Sequence, residues 1–167
     1  GQLGDGGLTR DVFRSQDGGT TWSEQTAAAA WSARKEHAAV VRRDGGVLVL
    51  GGADQGGGTN DVFVSWDSGT SWFQLTSNAA WSPRKGHAAV VRADGAVLVL
   101  GGSTNDGRVN DVFSSDDGGA TWALLTSAAA WRARSSHAAV VRSDGALLVL
   151  AGSDDSGRSN DVYVSEV

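Results

Sequence analysis

The chain has 167 residues, 40% hydrophobic and 20% charged, the balance of a folded globular domain rather than a disordered segment. Its net charge of −5, with the signs interleaved and no basic run, argues against an electrostatic grip on nucleic acid or anionic lipid. Zero cysteines exclude disulfides, thiolate metal sites and a cysteine nucleophile while leaving the compartment open. The apolar runs, such as Val47 to Leu50, fall far short of the ~20 residues a membrane-spanning helix needs.

Twenty-four glycines against one proline point to many tight turns and a β architecture. The absence of methionine and an opening at Gly1 mark a processed product, an expressed piece or part of something longer. An internal repeat organises the rest. His37, His87 and His137 fall fifty residues apart, and Trp31, Trp81 and Trp131 share that register with Asp11, Asp61, Asp111 and Asp161. More than half of the positions are identical between the two central copies, 51–100 and 101–150.

Turn chemistry cuts the chain into short strands. In chain order these are expected near 12–15, 22–26, 37–42, 47–51, 61–65, 72–76, 87–92, 97–101, 111–115, 121–126, 137–142, 147–151 and 161–165. Within one unit, Asp94-Gly95 turns the first strand into the second, Gly101-Gly102 ends the second, and Asp117-Gly118-Gly119 turns the third into the fourth. Four antiparallel strands per ~50-residue unit make the blade of a β-propeller. The fold class is therefore all-β, with three blade equivalents in a single propeller domain or propeller fragment over 1–167: repeats 1–50, 51–100, 101–150 and a partial 151–167. Taken alone, Ala27 to Arg43 would pass as an amphipathic helix, but the second copy carries Pro83 and Gly86 there, and each copy runs into Val-Val before Asp-Gly.

Two resemblances rest on these residues. R-x-x-H-A-A-V-V, followed by L-V-L-G-G and N-D-V-F, resembles the kelch repeat, in which a double glycine closes the second strand and an aromatic sits on the third; this likeness spans the whole chain. The segments 15–22, 65–72 and 115–122 read S-x-D-x-G-x-x-W and resemble the Asp-box of sialidase-like propellers and other BNR-repeat proteins. The second resemblance implies structural hairpin roles for Ser15, Asp17, Gly19 and Trp22, for Ser65, Asp67, Gly69 and Trp72, and for Ser115, Asp117, Gly119 and Trp122. Physically, the aspartate accepts from turn amides, glycine supplies positive φ, and tryptophan buries a large face under the turn.

Arg34, Arg84 and Arg134 precede the histidines by three residues, and two readings of them stand open. In one, each Arg-His set hydrogen-bonds between blades with the histidine in the interior. In the other, the arginines, helped by Lys35 and Lys85, face the central mouth as a positive lining for an acidic partner. The three histidines are expected at equivalent, largely buried sites that bind no metal. Trp31, Trp81 and Trp131 are expected to pack between blades, and Trp66, where other copies have Gln16 and Asp116, is the exposed aromatic and a contact candidate. The loops 53–59, 103–109 and 153–159 read as solvated tips without calcium-ligand spacing.

Tyr163 aligns with Phe13, Phe63 and Phe113 as a packing aromatic, so neither a sialidase tyrosine nucleophile nor a tyrosine-cysteine copper site is in view. The favoured reading is a non-catalytic binding or scaffold module holding a protein, peptide or glycan, without cofactor or metal. The alternative is a structural subunit whose repeats serve assembly, and a sialidase-like glycan-processing enzyme comes last. Because the strands begin with the third and fourth of a blade and end with the third of another, the chain is expected not to close its own ring. Two chains would make a homodimeric six-bladed ring, with Val12 to Ser15 or Val162 to Ser165 displaced at each joint; the runner-up is one stretch of a longer propeller.

Overall fold

The computed structural model describes residues 1, 4 and 7–165, and among them lie thirteen strands and no helix. They are β1 (Val12–Arg14), β2 (Ser23–Thr26), β3 (Ala38–Val41), β4 (Val47–Asp54), β5 (Gly57–Ser65), β6 (Phe73–Thr76), β7 (Ala88–Val91), β8 (Val97–Thr104), β9 (Gly107–Ser115), β10 (Ala123–Thr126), β11 (Ala138–Val141), β12 (Leu147–Asp154) and β13 (Gly157–Val164). All pairing is antiparallel between chain neighbours. The sheets are an opening pair β1-β2, a first complete blade β3-β4-β5-β6, a second complete blade β7-β8-β9-β10 and a third blade β11-β12-β13. This is the all-β propeller architecture expected from the repeat.

The apolar run of each second strand follows from its position between two neighbours. In β4, Leu48 and Leu50 face the second blade, where they join Val62, Val64, Trp81, Val97, Val99, Phe113 and Trp122 in one core. Val49, one residue out of step, faces the other way and packs with Phe63, Trp31 and Ala29. Both faces of the strand are covered, so both alternating sets are apolar. The innermost strands β3, β7 and β11 neighbour one another in that order and line the inside of the arc.

The expected glycine-rich loops are corrected to strand. β4 and β5 continue pairing through Gly52↔Thr59, Ala53↔Gly58 and Asp54↔Gly57, leaving a two-residue turn, and the same ladder recurs at 102–109 and 152–159. The double glycine interrupts this ladder with a bulge rather than ending it. Gly52, at φ 107, admits the crossover of its own blade: a Cβ there would stand 2.8 Å from both the His37 Cβ and the Lys35 carbonyl oxygen. Gly51, at φ 50, admits the next blade, since its Cβ would stand 3.0 Å from His87 Cε1.

Candidate functional site

The three arginines do not line a mouth. Each guanidinium is fully buried and held by the aspartate 27 residues later on the third strand of its own blade: Arg34 with Asp61 at 2.7 and 2.8 Å, Arg84 with Asp111 at 2.6 and 2.9 Å, and Arg134 with Asp161 at 2.6 and 2.8 Å. The same side chains donate to the carbonyl two residues back and to the carbonyl of residue 51, 101 or 151, so the fork is satisfied in all directions. Each also lies over the third-strand aromatic, Phe63, Phe113 or Tyr163, at 5.3–5.7 Å from the ring centroid. The Arg134 guanidinium pulls the Asp161 carboxyl well below the ordinary carboxylate range, and Asp161 in turn raises the arginine. The positive lining is thereby corrected: the charge is neutralised inside the blade. Asp61, Asp111 and Asp161 escaped the sequence reading as partners, although their constant offset from the arginines was visible in the repeat.

The histidines join blades chiefly by packing. His87 and His137 are buried against the glycines of the preceding blade and face its Leu50 and Leu100 backbone without a well-formed hydrogen bond. Burial, followed by the nearby Arg84, pushes His87 down to about 3, and burial with Arg134 pushes His137 down to about 4. His37 departs from the expected equivalence. It is exposed, because no second strand of a preceding blade covers it among the described residues. Among these residues there is also no grouping of three or more histidine, cysteine, aspartate or glutamate side chains that could hold a metal.

Lys35 and Lys85 sit half-buried where the crossover reaches the inner rim, with Ser135 in the third position. Their backbones bridge to Ala53 and Ser103 of the second strands. The next residues link the blades around the inside: the Gly86 amide donates to the Glu36 carbonyl at 2.9 Å, and Ser136 to Gly86 at 2.7 Å. Further out, Asn60 clamps the crossover by donating its amide to the carbonyls of Ala79 and Trp81 at 3.0 and 3.1 Å, and Asn110 does the same for Ala129 and Trp131.

The three S-x-D-x-G-x-x-W segments form the turns between third and fourth strands. In 65–72, the Gly69 amide donates to Ser65 Oγ at 2.8 Å, the Ser71 amide donates to Asp67 Oδ1 at 2.8 Å, and Trp72 Nε1 donates to the Gly69 carbonyl at 3.0 Å. The Ser71 hydroxyl and amide hold Asp67 down to about 2, and the Thr21 amide and hydroxyl do the same for Asp17. Burial opposes this at Asp117, but bonds from Thr121 and Ser115 outweigh it and the group is again held at about 2. Trp72 is half-buried and Trp122 buried, whereas Trp22 is exposed.

Trp66 is 56% exposed, and beside it stands an aromatic the sequence reading passed over: Phe73, also 56% exposed, with ring centroids 5.9 Å apart. Other repeats have Ser23 and Ala123 at the Phe73 position, so the pair belongs to the first complete blade alone. At the hairpin tips on the other ends of the strands, Arg108 pairs with Asp155 at 3.0 Å.

The model of the KLHDC2/KLHL20/DRC7 Kelch-repeats domain matches residues 1–167. A comparison with curated proteins found no match. With the double-glycine bulges, the four-stranded blades and a match over the full length, the chain belongs to the Kelch-repeat domain family.

Proposed function

We propose that the chain is a non-catalytic binding module for a protein or peptide, with Trp66 and Phe73 as its anchor. The carrying observation is the exposed aromatic pair in a position that the other repeats fill with small or polar residues. Large, rigid aromatics supply most of the energy at protein contacts. Kelch-repeat membership supports a binding role. The arginines contribute nothing directly, being spent on their own aspartates, and Lys35 and Lys85 at the inner rim would serve as secondary contacts. In this reading Ser15, Asp17, Gly19 and Trp22, with their equivalents in 65–72 and 115–122, are Asp-box hairpins whose task is folding.

A catalytic reading lacks a convergent set of groups: each arginine is neutralised in a separate blade, and Tyr163 lies against Arg134. Peptide and glycan arrays probed with the intact chain test the proposal. Peptide binding that falls at least about tenfold in Trp66→Ala is expected. Selective glycan binding would replace the partner class, and peptide binding indifferent to Trp66→Ala would remove the anchor.

A further inference from the structure

The first complete blade departs from the other repeats around its third-to-fourth-strand turn. Gly46 stands where the others have Ala96 and Ala146, Trp66 where they have Gln16 and Asp116, and Phe73 where they have Ser23 and Ala123. These positions meet in space. A Cβ on Gly46 would stand 3.5 Å from both Trp66 Cδ1 and Arg42 Cδ and 3.1 Å from Asp44 Oδ1, so the indole, the arginine stem and a carboxylate gather over this glycine. Phe73 adjoins the indole from the other strand of the turn.

The surface belongs to the joint between the two four-stranded blades. Phe73 pairs with Val64 in the ladder and shares its face, the one turned toward the second blade. Arg42 spans the joint. From Gly46 its side chain crosses to the 115–122 turn, where its Cζ lies 2.7 Å from the place of a Cβ on Gly118. With blade on both sides, both rings still keep 56% of their surface open.

The charge beside the rings is one-sided. The turns 65–72 and 115–122 carry Asp67, Asp116 and Asp117 and neither lysine nor arginine. On the inner hairpins of the two blades, Arg42 and Arg92 are each paired with the aspartate two residues on, and Arg43 donates to the Ala93 carbonyl. Asp44 keeps 48% of its side chain exposed while holding Arg42 at 2.6 Å. The rings therefore lie among carboxylates whose nearby cations are already occupied. Such a surface repels an acidic segment and attracts a basic one, and the face of an exposed indole is itself attractive to a cation.

We infer that the Trp66–Phe73 surface takes a basic peptide segment: an arginine or lysine side chain stacks on Trp66 in the field of Asp44 and Asp67, and an apolar neighbour covers Phe73. This rests on the reading of the two aromatics as the anchor and adds the chemistry of what they hold. The aromatics supply the contact area and the aspartates the choice of partner.

Fluorescence anisotropy with the 167-residue chain tests it, using three labelled peptides of one leucine- and serine-containing frame that bears arginine, glutamine or glutamate at the same positions. The arginine peptide should bind at least about tenfold more tightly than the glutamate peptide, and added salt should narrow the difference. Trp66→Ala should weaken the arginine peptide at least about tenfold with circular dichroism unchanged. Asp44→Asn retains an Asn-Gly turn that can still accept from the Gly46 amide, so it should weaken the arginine peptide about threefold or more and leave the glutamine peptide alone. Asp106→Asn, the same charge change on the exposed hairpin at the opposite ends of the strands, should do nothing. Equal or tighter Trp66-dependent binding of the glutamine or glutamate peptide would overturn the basic partner while leaving the aromatic anchor standing. An arginine preference as sensitive to Asp106→Asn as to Asp44→Asn would overturn it as a mere effect of net charge. Absence of Trp66-dependent binding to all three peptides would remove the anchor and the basic partner together.

Discussion

Asp111→Ala isolates the device that every blade repeats. The Arg84 guanidinium is fully buried and donates to both Asp111 oxygens as well as to the carbonyls of Ser82 and Gly101. Removing the carboxylate leaves the two carbonyl bonds intact but strands a positive charge in the blade, a change that typically costs about 3–5 kcal/mol. The Asp111 side chain retains 16% exposure, so water reaches the gap and places the cost near the lower end, about 3 kcal/mol. For a chain of this length that corresponds to a melting shift of about 6–12 °C. Asp161→Ala should cost less, because Asp161 is 33% exposed at an open edge. Urea denaturation of both variants, with the slope checked for a constant unfolded reference, measures the difference. The double variant Arg84→Met/Asp111→Ala should recover part of the loss, since the unpaired charge is gone. If Asp111→Ala costs under about 1 kcal/mol, or no more than Asp161→Ala, the buried pair is not what holds the blade.

Acid should destabilise the chain in two stages. His87 and His137 are held down to about 3 and about 4, below the unfolded value of 6.5, so the unfolded state takes the proton first. Their contribution is complete above pH 6.5 and is lost as pH falls toward 4, at about 1.4 kcal/mol per pH unit for each. Asp67 and Asp117, held to about 2 against an ordinary 3.8, add a second loss as pH falls from 3.8 to 2. Urea midpoints that stay flat from pH 7 to 5 would contradict the histidine assignment, and His87→Gln should shallow that limb. Gly102→Ala should cost about 3 kcal/mol in thermal melts, combining a disfavoured φ with overpacking, because its Cβ would stand 2.8 Å from the His87 Cβ. Gly107→Ala carries a comparable φ of 122 but meets open space, so equal costs would show that backbone strain alone demands the double glycine.

All thirteen strands were legible because the turn chemistry is local and repeats: Asp94-Gly95 and its equivalents specify a hairpin without help from the rest of the chain. The glycine-rich stretches misled because glycine usually ends a strand, whereas here it makes room for a histidine while the ladder runs on. The arginines misled for a different reason. Their distance from the histidines was read as the meaningful one, but their chemistry is decided by an aspartate two strands away. Phe73 was missed because its repeat equivalents, Ser23 and Ala123, carry no aromatic, and only the geometry shows it beside Trp66.

Equivalence in sequence is also not equivalence in coverage. His37, His87 and His137 occupy the same repeat position, yet only the latter two are buried, because burial is conferred by the preceding blade rather than by the residue's own. The same asymmetry governs the tryptophans. Trp72 and Trp122 are covered through the crossover tryptophans Trp31 and Trp81, while Trp22, on a turn closed by the same bond to Gly19, is exposed. In an array of repeats each unit is stabilised by its neighbours, so the burial of a residue is set by the adjoining blade as much as by its own.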